Sequence, residues 1–280
     1  MRKLTAAQVE DTVARLCIEA NYQLHPEVQQ ALADSLQREE APLGREILRR
    51  IQENIILAPK TGIPLCQDTG QTVVFIELGQ EAQIVEGDLT EAINAGVRRG
   101  YQRGYLRCSM VEGLYTRQNT GDNTPAIIHY EIVPGDQLKL VVVPKGAGSE
   151  NMSALRMLNP SDGIEGIQQF VVEVVDRAGA NPCPPVVVGV GIGGTMEKAA
   201  LLAKKALLRP LNQPNSEREI ATLEKAILDQ INNLGIGPQG LGGRVTALAV
   251  LIETFPTHMA CLPVAVNLNC HCARHKEAVL

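Results

Sequence analysis

A chain of 280 residues that is 45% hydrophobic is long enough for one large domain or two lobes. Its net charge of −5 argues against nucleic acid as a main partner, and no apolar run approaches the roughly 18 residues a membrane span needs. Aromatic residues make up 3% and tryptophan is absent, so the core has to be aliphatic.

The opening M-R-K-L-T-A-A-Q-V-E-D is charged and helical, unlike a secretory leader. With no leader, an odd count of seven cysteines predicts a reducing compartment, the cytoplasm or an organelle matrix, where thiols serve metals or redox chemistry more often than disulfides. The cytoplasm is the expected location. Val9, Val13, Leu16, Cys17 and Ala20 recur at helical spacing, as do Val28, Leu32 and Leu36. A third helix is expected from about Gly44 to Leu57, apolar at Ile47, Leu48, Ile51 and Ile55. The first 60 residues therefore read as a helical part and a candidate lobe of their own.

The run T-V-V-F-I-E-L at 72–78 predicts a strand, and a helix is expected near Leu89 to Arg99. Segments 126–133 and 138–143, joined through P-G-D, predict a hairpin. A helix is expected from Gly163 to Ala178, a buried strand over Val186–Val190, and a helix from Thr195 to Leu208. The polar stretch 209–216 reads as a connection, with Ser216 capping the next helix and Glu219 completing a capping box. Val245 to Thr254 predicts a strand leading to His258, and L-P-V-A-V at 262–266 is also strand-like. The fold class is mixed α/β: N-terminal helices, then sheet and helix lobes, with glycine-rich loops around a site. Residues 1–280 read as a single domain.

Three cysteines have distinctive settings: Cys66 in G-I-P-L-C-Q-D-T-G, Cys183 in N-P-C-P-P and Cys270 in N-L-N-C-H-C-A-R-H. Prolines 182, 184 and 185 fix φ and remove backbone donors around Cys183. Three such loop thiolates suit an iron–sulfur cluster with one iron left open; the plainer reading is three separate loop or buried thiols. Cys17 sits on an apolar helix face and reads as core. The C-terminal group of Cys261, Cys270, His271, Cys272 and His275 contains zinc-type ligands, but C-x-C-x-x-H has too short a loop for the usual structural knuckle.

The string G-V-G-I-G-G at 189–194 matches a dinucleotide fingerprint, yet Leu208-Arg209-Pro210 stands where the acidic residue belongs. A tight strand–helix turn is the plainer reading, and a backbone cradle for an anion is a third. K-G-A-G-S-E-N at 145–151 is either a surface turn or a second carboxylate cradle.

In this order, the strings at 62–70, 145–151, 181–185, 189–195 and 269–275 resemble the class I fumarase family, specifically its N-terminal half or α subunit. L-tartrate dehydratase α subunits share the pattern, and the resemblance runs from about residue 10 to the end. It implies an iron–sulfur hydro-lyase acting on a small dicarboxylate: malate to fumarate, or tartrate to oxaloacetate. It implies a [4Fe–4S] cluster on Cys66, Cys183 and Cys270, the choice of Cys270 over Cys272 resting on the family pattern. It implies substrate contacts at Gln67, Asp68, Arg107 and Gly148, and acid–base roles for His258 and Asp68. His258 is expected to share a loop region with Cys270. Few arginines lie in these motifs for a substrate with two carboxylates, so a β subunit is expected to supply the missing groups, as an α2β2 assembly. The alternatives are a nicotinamide-binding oxidoreductase domain and a non-catalytic metal scaffold.

Overall fold

The computed structural model describes residues 1–280. The chain begins with β1 (Arg2–Thr5), α1 (Ala6–Tyr22), α2 (Pro26–Arg38) and α3 (Pro42–Thr61). Next come β2 (Gln71–Gly79), β3 (Ala82–Val85), α4 (Leu89–Arg103), β4 (Val111–Glu112), β5 (Gln118–Asn119), β6 (Ile127–Val133) and β7 (Leu138–Lys145). The turn α5 (Ala147–Glu150), β8 (Ala154–Leu158), α6 (Gly163–Ala178), β9 (Val186–Gly193) and α7 (Met196–Ala206) follow. The last elements are α8 (Arg218–Asn232), β10 (Ala247–Phe255), β11 (Leu262–Asn269) and β12 (Lys276–Val279). These resolve into two compact units, one of Met1–His25, Ile55–Ala147 and Arg274–Leu280, the other of Pro26–Asn54 and Gly148–Ala273. The helical start does not form its own lobe, because α2 and most of α3 belong to the second unit.

In the first unit, Thr5 caps α1 in a reciprocal box with Gln8. The sheet runs β12-β7-β2-β6. Its core is aliphatic as expected: Val74, Ile76, Leu138, Leu140 and Val142 pack on Val9, Val13 and Leu16 of α1 and Ile93 and Val97 of α4. The expected hairpin does not form. β2 lies between β6 and β7, parallel to the first and antiparallel to the second. The link between them arches over the end of β2, where Gly79 N–H donates to Gln137 O and Gln80 N–H to Val133 O. The physical reason is burial. Residues 72–76 of β2 are all buried, and a strand buried on both faces takes the centre of a sheet, whereas β6 is largely exposed and takes the edge.

Near the C-terminus the His275 ring packs at 4.4 Å from that of His25, whose Nε2 lies 2.7 Å from His275 O. Burial, then the neighbouring His25, pushes the His275 imidazole down to about 4. The unfolded chain binds a proton there below about pH 6.5 and the folded chain does not, so stability present above pH 6.5 is lost as pH falls toward 4. The loss is on the order of 3 kcal/mol. Denaturation midpoints measured from pH 7 to 4 should fall in wild type and flatten in His275→Gln; equal slopes in the two proteins would remove His275 as the cause.

In the second unit the sheet order is β10-β9-β11-β8. β10 and β9 are parallel, and β11 is antiparallel to both its neighbours. One face carries Val188, Val190, Ile252, Val264 and Val266 against Phe170, Val171 and Val174 of α6 and Ile227 and Ile231 of α8. The other face packs on α7 through Ala199, Ala203 and Ala265. This packing explains the glycine string. Gly189 and Gly191 lie inside β9, paired on both sides. A Cβ on Gly191 would stand 2.0 Å from Ala199 O, so these glycines let α7 lie close on the sheet. Only Gly193 and Gly194 form the turn, both at positive φ. The dinucleotide loop is thus absent, and the plainer strand–helix reading holds. Helix α8 begins at Arg218 with Glu217 in the cap position, and neither cap hydrogen bond expected of Ser216 is made. The connection 209–216 is held by Arg209, whose guanidinium donates to Glu224 and Ile252 O, and by Asn215 on Ile252 O.

Candidate functional site

In the first unit the C-Q-D-T-G loop runs from Cys66 into β2. The Asp68 amide N–H lies 3.4 Å from Cys66 Sγ and points at it. Asp68 folds the loop with its carboxylate: Oδ1 accepts from Gly70 N–H and Oδ2 from Ala147 N–H, both at 2.9 Å. Gly70, at φ +76, is required there, since a Cβ would stand 2.5 Å from Lys145 N. Behind the loop, the buried Tyr101 hydroxyl donates to Thr69 O at 2.7 Å, and Asn123 Nδ2 donates to Gly70 O at 3.2 Å. Arg274 donates to Asp68 O. Thr69 Oγ1 donates to Arg107 O at 2.8 Å, which sets Arg107 beside the loop. Cys66, Gln67, Asp68 and Arg107 are thereby brought together. Gln67 and Arg107 are exposed, and no side chain pairs with the Arg107 guanidinium.

In the second unit the loop of Cys183 is joined to the loop that follows β11. Cys183 sits at φ +55 between Pro182 and the cis Pro184–Pro185 bond, and its thiol is exposed. Its carbonyl accepts from the His271 amide at 3.4 Å and lies 3.0 Å from His271 Nδ1, so the residue after Cys270 is fastened to Cys183. Gln239 braces the loop, its backbone and side chain both donating to Pro184 O. Gly148 stands alongside; a Cβ there would lie 3.1 Å from Asn181 O.

His258 does not join them. β11 begins after His258 and ends at Asn269, and Asn269 pairs with Val187 at the start of β9. Cys183 precedes that start, whereas His258 follows the end of β10, where Phe255 pairs with Gly193 at the end of β9. His258 and Cys270 therefore lie at opposite ends of the sheet, a strand of eight residues apart, on the order of 25 Å. This corrects the expectation of a shared loop region. The stretch 254–260 is exposed throughout. Thr257 ties it to Gly194 O, and Ala260 N–H donates to His258 Nδ1 at 3.1 Å. That bond puts the proton of the neutral ring on Nε2, which faces away from it.

The glycine-rich turn after β7 also differs from expectation. Lys145 is fully buried, and the Ala147 amide is occupied by Asp68. Glu150 anchors the turn, paired with Lys204 at 2.5 Å and accepting from Asn267 at 2.9 Å.

All seven cysteines are thiols. Burial pushes Cys17 up to about 12, and Cys272 is buried, so neither behaves as a surface ligand. No three His, Cys, Asp or Glu side chains stand together as a ready metal-binding group, and Cys66 lies in a different unit from Cys183 and Cys270. The donor chemistry nonetheless suits an iron–sulfur cluster. The three thiols lie outside the hydrophobic cores, on loops fixed by backbone bonds, and an amide N–H is aimed at one sulfur. Sequence reasoning missed the supports Tyr101, Asn123, Gln239 and Arg274. They lie in ordinary helix, turn and loop sequence, and only the fold reveals what they hold.

The family model described as Fumarate hydratase (Fumerase) matches residues 10–279. A Methanocaldococcus jannaschii protein provisionally named L(+)-tartrate dehydratase subunit alpha is 45% identical over 269 residues, covering 94% of each chain. The L(+)-tartrate dehydratase subunit alpha of Escherichia coli strain K12 is 34% identical over 236 residues, 83% of this chain and 77% of that protein. No helix of the chain is long and apolar enough to cross a membrane.

Proposed function

The chain belongs to the fumarate hydratase (Fumerase) family of hydro-lyases, and on that premise we propose that it is the α subunit of an iron–sulfur hydro-lyase for a 2-hydroxy dicarboxylate. The relatives named as tartrate dehydratase α subunits favour L-tartrate, while the family description keeps malate and fumarate in the set. The observation that carries the reading is the wired pair of loops: Cys66 with Gln67, Asp68 and Arg107 on one, Cys183 fastened to the residue after Cys270 on the other.

Cys66, Cys183 and Cys270 would hold a [4Fe–4S] cluster. When bound, a cluster with one iron free of cysteine supplies a Lewis acid toward the departing hydroxyl. The chain's own residues do the rest. Arg107 grips a carboxylate through two parallel hydrogen bonds, and Gln67 offers an amide to the same substrate. Gly148 brings backbone, unobstructed by a side chain, to the substrate. Asp68 acts first as the loop former, since two backbone amides occupy its oxygens. Proton transfer then falls to His258, whose neutral ring can donate its Nε2 proton to the departing hydroxyl. From its end of the sheet it serves the cysteines of a second copy of the chain, as an α2β2 assembly allows.

One exposed arginine is too little cation for two carboxylates, so a β subunit completes the pocket. The reducing cytoplasm is the proposed setting, consistent with seven thiols. The chain is to be reconstituted anaerobically with iron and sulfide and assayed on malate, fumarate and L-tartrate, with and without its β partner. Activity is expected only with the partner, at least about 10²-fold above the isolated chain. Full turnover by the chain alone would remove the subunit reading, and binding of NAD(H) without any hydro-lyase activity would restore the oxidoreductase alternative.

A further inference from the structure

Asn123 is fully buried and takes φ +61, a left-handed conformation that asparagine tolerates better than most side chains. Its amide bridges two segments. Oδ1 accepts from Ser109 N–H at 2.7 Å and Met110 N–H at 3.3 Å, while Nδ2 donates to Gly70 O at 3.2 Å. Neighbouring bonds continue the same join. Asn119 Nδ2 donates to Cys108 O at 3.0 Å, and Thr120 N–H donates to Met110 O at 3.0 Å. The turn that carries them is itself fixed, since Asp122 accepts from Thr124 and Arg98. Residues 108–110 are thus clamped directly after Arg107, whose own carbonyl is held by Thr69.

The consequence is specific to Arg107. Its side chain is exposed, and a long side chain loses rotamer freedom when it is fixed on a ligand. Fixing the backbone beneath it, and tying that backbone to the Cys66–Gly70 loop, sets where the guanidinium can reach. We infer that Asn123, with Asn119, is a positioning clamp that sets Arg107 relative to the C-Q-D-T-G loop and so determines affinity for the substrate carboxylate. The inference rests on the reading that Arg107 binds that carboxylate.

The test is a double-mutant cycle on the reconstituted chain with its β partner, reading KM and kcat for whichever acid it turns over, malate or L-tartrate. Arg107→Ala should raise KM on the order of 10²-fold. Asn123→Gly keeps the left-handed backbone and loses the clamp; it should raise KM about tenfold while kcat stays within about threefold. In the Arg107→Ala background it should add less than about twofold, because the two act as one unit. Should Asn123→Gly not fold, Asn119→Ala, on the exposed hairpin, runs the same cycle with a smaller shift of the same sign. Factors that multiply fully in the double mutant, or a fall in kcat at constant KM, overturn the clamp. An unchanged KM in Arg107→Ala is a separate result: it removes Arg107 from the substrate, and the clamp falls with it.

Discussion

Cys66→Ser, Cys183→Ser and Cys270→Ser should each fail to assemble the cluster, while Cys272→Ala and Cys261→Ser should assemble it in full. About four irons per chain are expected after anaerobic reconstitution of the wild type, as a [4Fe–4S] centre requires. A serine oxygen is a harder and far less acidic ligand than a thiolate, so one exchange removes a bond that the remaining two cannot replace. Activity should fall by at least about 10³-fold, because the loss removes the Lewis acid altogether. Iron and sulfide content is the direct measurement, and circular dichroism establishes that the variants fold. The controls are chosen by location. Cys272 is buried in the loop beyond Cys270, and Cys261 lies by His258 at the far end of the sheet. A complete cluster in Cys66→Ser would end the three-cysteine assignment, and cluster loss in Cys272→Ala alone would move the third ligand from Cys270 to Cys272. A second consequence concerns oxygen. With one iron lacking a protein ligand, the cluster should bleach in air faster than one held by four cysteines; an air-stable centre would argue for a fourth protein ligand.

What could be read from the sequence, and what could not, divides along physical lines. Apolar runs such as 72–78 and 186–190 announce strands because burial on both faces leaves no other residue type acceptable, and both strands are present. Helical spacing of Val9, Val13 and Leu16 placed α1 for the same reason. Pairing is different. Two strands joined by a four-residue link look alike in sequence whether they pair with each other or straddle a third strand. The deciding signal was available in β2: a strand buried on both faces needs a neighbour on each side, and β6, with Glu131 and Tyr130 exposed, suits an edge. The cysteine loops were legible from their prolines and glycines, which mark fixed backbone. Their supports were not, because Tyr101 and Asn123 act through hydrogen bonds to backbone carbonyls that any residue could carry. The twelve positions from His258 to Cys270 misled because the strand-like run at 262–266 was not carried through to what it does to its two ends. That run is β11, and a strand of its length carries its two ends to opposite ends of the sheet.

That separation leads to the most discriminating result expected of this protein. His258→Ala should retain its cluster and lose on the order of 10²-fold in kcat, the effect of removing a proton-transfer group. Cys66→Ser should lack the cluster and be inactive. An assembly holding one copy of each variant, separated by different tags and joined with the β partner, should recover about half the wild-type activity, the expectation for two equivalent sites in a two-fold assembly. The arithmetic follows from the fold. If His258 serves the cysteines of the other copy, the His258→Ala copy has intact thiols and receives His258 from its Cys66→Ser neighbour, giving one complete site of two. If His258 served its own copy, both sites would be broken, one lacking its histidine and the other its cluster. The roughly 25 Å strand between His258 and Cys270 is the observation that favours the first arrangement. An inactive mixed assembly would show that no copy receives His258 from its neighbour, and wild-type turnover by His258→Ala would leave this exposed loop without a part in the chemistry.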